Sequence, residues 1–245
     1  MSQADWRNTG VLCEQYRTEQ FYIGTCKRSV GKECVMRFSI IIPIHVDGNR
    51  KGYGYDIKTL VDSIKTQSFS DYEVIFICDK CKSEAVDYVY RKGKYNFKKC
   101  KVVECEHGNA GLARNEGLNV AEGEYILFAD DDDYILHPFV FEYIDKMLKA
   151  HDEPDVAHFG FIFGSNGYVY PTWNDGHLYG NVWSKAYKRS AIGDTRFPNV
   201  YPDDDLQFNK LMEQKDLRHV LCDAPIYYYN YMREGSITWN EKQKK

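Results

Sequence analysis

The sequence has no run of about eighteen apolar residues, the length a helix needs to cross a bilayer. Its start, Met1-Ser2-Gln3-Ala4-Asp5-Trp6-Arg7, places no apolar stretch after a basic end, so a secretory leader is not expected. Positive charge is not in excess, since 32 lysines and arginines face 36 aspartates and glutamates for a formal net charge of -4. That balance argues against broad attraction to nucleic acid or anionic lipid and leaves only a local basic patch open. Of eight cysteines only Cys78 and Cys81 form a C-x-x-C, and the absence of a second tight pair argues against a zinc site. Without a leader the cysteines read as reduced thiols, and the expected location is cytoplasmic, with peripheral membrane association allowed.

What is present is an ordinary globular composition, 43% hydrophobic and 28% charged, in a chain of 245 residues. That length buries a full core as one large α/β domain. Residues 1–37 form an arm that mixes aromatics, basic residues and three cysteines without a motif, and packing on the sheet or self-association into a homo-oligomer are its two expected uses. Tyrosine, at 20 residues, is dense, and most of those rings are expected in the core.

The chain is organised around Tyr125-Ile126-Leu127-Phe128-Ala129-Asp130-Asp131-Asp132-Asp133. A short apolar run reads as a buried parallel strand, and four carboxylates at its end repel one another unless a cation compensates them. Ligands of open α/β sheets bind beyond the carboxyl ends of the strands, which is where these acids would stand. Hard oxygen donors suit Mg²⁺ or Mn²⁺.

The segments before it alternate. Phe38 to Pro43 reads as a first strand, followed by a loop with Gly48, Arg50, Lys51, Gly52 and Gly54 that lacks a Walker or G-x-G-x-x-G spacing. A helix through Ile57, Leu60, Val61 and Ile64 follows, with Asp56 as its expected N-cap. Then come a strand over Glu73–Cys78 with Asp79 just past its end, a helix capped by Ser83 and running through Tyr90, and a strand over Lys101–Glu104. Asn109 to Leu118 reads as a helix with small residues on one face, continuing to Gly123 and placing Arg114 near the acids or a bound diphosphate. This strand–helix rhythm predicts a mostly parallel, Rossmann-like sheet over residues 38–137. Residues 138–245 depart from it, with a helix over Phe139–Leu148, a hairpin around Gly164–Gly167 and a tyrosine-rich strand after Pro225. Three acids, Asp203, Asp204 and Asp205, begin one more helix, which is more than capping requires.

Ser39 to Pro43, Ser63 to Gln67, Glu73-Val74-Ile75, Ala113-Arg114-Asn115 and Gly123 to Asp133, in that order and spacing, resemble the family 2 glycosyltransferases of GT-A fold, in particular bacterial polysaccharide-type members. The resemblance extends through Asn181–Ser190, the Asp204-Asp205 pair and the closing Tyr-rich strand with its Ser-Ile-Thr loop. It implies a nucleoside-diphosphate-sugar site, with a UDP-sugar favoured. Asp132 and Asp130 would hold Mn²⁺ or Mg²⁺ on the diphosphate, and Asp79 would read the base. Pro43, Ile44, His45, Arg114, Asp131 and Arg233 are the other expected nucleotide-sugar contacts. Where relatives commonly have Asp-Asp-Gly-Ser after the second strand, this chain has Cys78-Asp79-Lys80-Cys81, so that turn must be built differently.

A sugar hydroxyl is a poor nucleophile and needs a base within hydrogen-bond reach, a role assigned to Asp205 with Asp204 as its neighbour. A single displacement then inverts the anomeric centre. The acceptor is expected to be a glycan, a lipid-linked glycan or another hydroxyl compound, with nucleic acid disfavoured by the net charge. Trp173, Trp183 and nearby tyrosines could supply rings for a sugar, with core packing the more frequent role for any single one. Two rival functions share these residues. A nucleotidyltransferase would use the same metal carboxylates without needing Asp203–Asp205, and a silent binding protein would have no need to keep Asp130, Asp132 and Asp205.

Overall fold

The computed structural model describes residues 36–45, 53–171, 173–174, 177–178 and 180–231. The arm to residue 35, the glycine-rich loop 46–52 and the C-terminal segment with Arg233 lie outside the described residues.

Four strands form the parallel half: β1 (Phe38–Ile44), β2 (Tyr72–Asp79), β3 (Cys100–Cys105) and β4 (Tyr125–Phe128). They are connected by α1 (Tyr53–Lys65), α2 (Ser83–Asn96) and α3 (Ala110–Val120), and they lie in the order β3-β2-β1-β4. The order reverses between β1 and β4, whose register pairs Ile41 with Phe128. In open α/β sheets the ligand crevice lies beyond the carboxyl ends of the strands, at such a reversal of strand order. The acidic block begins in that crevice.

The second half extends the same sheet. After β5 (Tyr134–Ile135) and α4 (Val140–Ala150) come β6 (Val156–Phe163), β7 (Tyr168–Val169), a separate small hairpin of β8 (Trp173–Asn174) and β9 (His177–Leu178), and β10 (Lys185–Lys188). The short helix α5 (Arg189–Ile192), α6 (Asp204–Glu213) and β11 (His219–Tyr229) complete it. β10 runs antiparallel to both β4 and β6, and β11 runs parallel to β6. The hairpin expected around Gly164–Gly167 is β6–β7.

The strands are apolar on both faces because helices cover both. Ile40 and Ile42 face a core with Ile57, Leu60, Val61 and Ile64 of α1, whereas Ile41 faces the core shared with Ala113 of α3 and Phe208 and Met212 of α6. Phe197 stacks on Phe208 with centroids 4.1 Å apart, and Phe128 meets both rings edge-on, which holds α6 to the end of β4.

Gly117 fixes how close α3 lies, since a Cβ there would come within 2.4 Å of Ile41 Cγ2. Alanine would add about 1 kcal/mol of helix propensity, and the clash outweighs it at about 1–3 kcal/mol. Gly117→Ala is therefore expected to be less stable than wild type by denaturant titration, against the usual direction for an exposed helical glycine.

Several local expectations are corrected. Asp56 lies inside α1, which starts three residues earlier at Tyr53. Ser83 is the first residue of α2, the cap position is Lys82 without a side-chain bond, and the helix runs past Tyr90 to Asn96. The helix before β4 ends at Val120 with Ala121 as C-cap rather than at Gly123. Asp203 occupies the N-cap of α6 without making a capping hydrogen bond. Trp183, by contrast, takes the core role expected for most of these rings: it stacks on Tyr227 and Tyr229, with Phe161 edge-on at 4.7 Å.

His158 on β6 is buried, with Nε2 and His219 Nδ1 3.0 Å apart. Burial, with smaller contributions from Lys185 and His219, pushes its pKa down to about 2. The folded form therefore keeps it neutral, whereas the unfolded chain protonates it below about pH 6.5. Its contribution is present above that pH and is lost on acidification, at about 1.4 kcal/mol per pH unit. Urea midpoints are expected to fall less between pH 7.5 and 5 in His158→Leu than in wild type.

Candidate active site

Arg114 is the centre of the site. Asn109 caps α3, its side chain accepting from Leu112 N at 3.0 Å, and Arg114 follows one turn later with 5% of its side chain exposed. Its Nη2 donates to Asp130 Oδ1 at 2.7 Å, and Nη1 donates to Asp204 Oδ2 at 2.9 Å and Asp205 Oδ1 at 2.8 Å. The acidic block after β4 and the acids that open α6, 70-odd residues apart in sequence, thus meet on one guanidinium. Gly111 makes room for this, because a Cβ there would lie 2.9 Å from the Asp204 carboxylate.

One cation against three carboxylates leaves the cluster negative. Burial opposes the charge on Arg114, but Asp205, Asp130 and Asp204 outweigh it and raise its pKa. Burial drives the Asp130 carboxyl up to about 6, with Arg114 pulling the other way. Asp204 and Asp205 also lie above the ordinary carboxylate range, again because burial exceeds the pull of Arg114. A base so raised accepts a proton more readily near neutral pH than a solvated aspartate does.

β11 and the residue that follows it, Asn230, fix the acidic block, a contribution absent from the sequence reading. Tyr227 Oη accepts from Asp130 N at 2.8 Å, and Asn230 donates through Nδ2 to the Asp132 carbonyl at 3.2 Å and through N to Asp133 Oδ1 at 2.8 Å. Asp133 is 1% exposed, and burial followed by repulsion from Asp132 and Asp130 holds its carboxyl well above the usual range. Asp131 is buried in the same turn, whereas Asp132 is half-buried.

Asp79 lies at the end of β2, nearly buried, and its two oxygens accept from Gly108 N at 2.8 Å and Asn109 N at 2.9 Å. It thereby ties β2 to the start of the helix that carries Arg114. Lys80 makes the following turn with φ 52°, the left-handed conformation that glycine adopts more easily, which is how the departure from Asp-Asp-Gly-Ser is accommodated. Pro43 and Ile44 end β1, and exposed His45 places Nδ1 2.8 Å from the Asp79 carbonyl. Arg233 lies outside the described residues.

Among the described residues no group of three or more His, Cys, Asp and Glu side chains is arranged to hold a metal ion. Mg²⁺ and Mn²⁺ do not require one, since one or two carboxylates with substrate phosphates and water complete their shells. Asp130 and Asp132, hard oxygen donors at the strand end, fit that pattern.

A doubly covered sheet with a crevice at its β1/β4 switch, and acids from both halves of the chain meeting there, defines a GT-A type fold. The solved structure of Staphylococcus aureus TarS 1-349 in complex with UDP-GlcNAc matches with a TM-score of 0.67 at 24% identity, over 83% of this chain and 61% of that one. The mannosyltransferase PcManGT from Pyrobaculum calidifontis in complex with GDP-Man and Mn²⁺ matches with a TM-score of 0.64 at 16% identity, over 85% and 61%. The family model described as Glycosyl transferase family 2 matches residues 39–220, and the chain belongs to that family. Among curated relatives, the poly(ribitol-phosphate) beta-N-acetylglucosaminyltransferase TarS of Staphylococcus aureus is 35% identical over 104 residues, 41% of this chain and 17% of its own. The chain spans less than half the length of the curated relatives it matches.

Proposed function

We propose that the chain transfers a sugar from a nucleoside-diphosphate sugar, a UDP-sugar by preference, to a hydroxyl of a glycan or other acceptor, with inversion. The observation that carries this reading is the Arg114 cluster, which joins Asp130 and Asp205 through one guanidinium. Bound TarS and PcManGT hold UDP-GlcNAc and GDP-Man with Mn²⁺ respectively, in the same fold, which supports a donor of this class.

In the proposed reaction Asp205 takes the proton of the acceptor hydroxyl as the new glycosidic bond forms and the bond to the diphosphate breaks. Arg114, whose Nη1 is shared with Asp204, holds that carboxylate in place. Asp132 and Asp130 would hold a divalent cation on the diphosphate, and when bound it stabilises the charge that develops on the leaving group. Asp79 at the end of β2, His45 beyond β1 and Asp131 are assigned to the nucleotide-sugar, and Arg233 to the diphosphate, with His45 Nδ1 2.8 Å from the Asp79 carbonyl supporting the grouping of the first two.

A thermal-shift series with UDP, GDP and their sugars, with and without Mn²⁺, tests donor and metal together, because a ligand that binds only the folded state raises its stability. At a ligand concentration 100 times Kd the gain is about 2.7 kcal/mol. The Mn²⁺-dependent part of the shift is expected to disappear in Asp132→Ala. Equal shifts in the two proteins would overturn the metal assignment, and pyrophosphate-dependent synthesis of a nucleoside triphosphate would replace sugar transfer with nucleotidyl transfer.

A further inference from the structure

We propose that Lys185 is a positioning residue for Asp205, holding the turn 180–182 so that Val182 N–H donates to the Asp205 carboxylate. The inference rests on the reading of Asp205 as the acceptor base.

Lys185 opens β10, and the side chain is 2% exposed. Its ammonium donates to the main-chain carbonyl of Asn181 and, at 3.3 Å, to Asn181 Oδ1, which also accepts from Ser184 Oγ at 2.7 Å. Asn209 grips the same turn from α6, one helical turn beyond Asp205. Its Nδ2 donates to the carbonyls of Gly180 at 2.8 Å, Asn181 at 3.1 Å and Asp205 at 3.0 Å, while its Oδ1 accepts from Tyr187 Oη at 2.7 Å. Two buried side chains from different elements therefore fix the first two carbonyls of a three-residue turn, those of Gly180 and Asn181. The next N–H, that of Val182, donates to the Asp205 carboxylate, which also accepts from Arg114.

Burying an ammonium is costly, and a position that only filled space would do better with an apolar residue. Asp205 and Glu213 of α6 attract this one, His158 of β6 lies beside it, and burial still draws its pKa down to about 7. The gain that offsets this cost is directional. A lysine with its donors on Asn181 keeps the turn from drifting, whereas an apolar chain packs without choosing an orientation. An arrangement that determines where the base points acts on the chemical step more than on donor capture.

The test pairs Lys185→Met, which keeps the length without the donors, with Lys185→Gln, which keeps a donor without the charge. Hydrogen exchange of the Val182 amide is read by NMR, and UDP release from a UDP-sugar gives kcat and donor KM. In Lys185→Met the Val182 amide is expected to exchange at least about tenfold faster with β1 amides unchanged, and kcat to fall about 10–100-fold, within what a general base supplies. Donor KM stays within about twofold, and Lys185→Gln recovers part of both losses. Unchanged Val182 protection, or a parallel loss of protection across β1, overturns the proposal. Should Lys185→Met fail to fold, Lys185→Gln and Tyr187→Phe carry the same readouts. A wild type that releases no UDP but shows Lys185-dependent Val182 protection overturns sugar transfer and supports the positioning role.

Discussion

Arg114→Met is expected to be the most destabilising substitution of a charged residue in the site, costing about 3–5 kcal/mol, as removal of one member of a buried ionic cluster does. In a domain of this size that lowers the melting temperature by roughly 10 °C. The direction follows from the charge count. Arg114 is the only cation hydrogen-bonded to Asp130, Asp204 and Asp205 among the described residues, so its loss leaves three mostly buried carboxylates facing one another. Phe197, whose ring lies 5.5 Å from the guanidinium carbon, gives a methionine side chain an apolar surface but no charge. Part of the deficit is expected to return on addition of Mn²⁺, because three carboxylates without a guanidinium become a hard-oxygen site. Thermal melts with and without the ion check both statements, and a variant as stable as wild type would mean that the three acids are held apart by other contacts.

The Arg114 cluster also shows where the sequence was informative. The strand Tyr125–Phe128 and the acids after it were readable because an apolar run ended by four charges has few other solutions in a packed sheet. The small-residue face of α3 was readable for a similar reason, and Gly117 against Ile41 is its physical form. Arg114 could be placed near the acids of its own half, since α3 directly precedes β4. That the same guanidinium reaches Asp204 and Asp205 depends on how α6 docks through Phe197 and Phe208, a contact between segments with no shared periodicity.

Other features were hidden for related reasons. Tyr227 sits in, and Asn230 directly follows, an aromatic strand whose residues look alike until the register of β11 against β5 and β6 decides which hydroxyl and amide reach the acidic block. Lys185 lies in a stretch with several other cations, and only its inward-facing position on β10 separates it from solvated lysines. Helix starts failed where propensity was asked to stand for geometry. Asp56 and Ser83 are good capping residues, but the chain enters α1 and α2 earlier than they allow, and tertiary packing of the apolar faces outweighs about 1 kcal/mol of cap energy.

Asp205→Asn, in contrast to Arg114→Met, is expected to leave the fold intact and remove the chemistry. Arg114 retains Asp130 and Asp204, so no buried cation is left unpaired, and a local excess of negative charge is relieved. The amide keeps an oxygen that accepts from Val182 N–H but has no basic lone pair for an acceptor proton. The rate of sugar transfer is therefore expected to fall by about 10²–10⁴, the usual contribution of a general base. Donor affinity should change little, because binding and proton removal fall to separate carboxylates, Asp132 and Asp130 on the diphosphate and Asp205 on the acceptor. Calorimetric titration of the nucleotide beside a transfer assay separates the two effects. A variant that loses donor binding and transfer in equal measure would assign Asp205 to the donor, and one that retains full transfer would move the base elsewhere in the cluster, with Asp204 the next residue to replace.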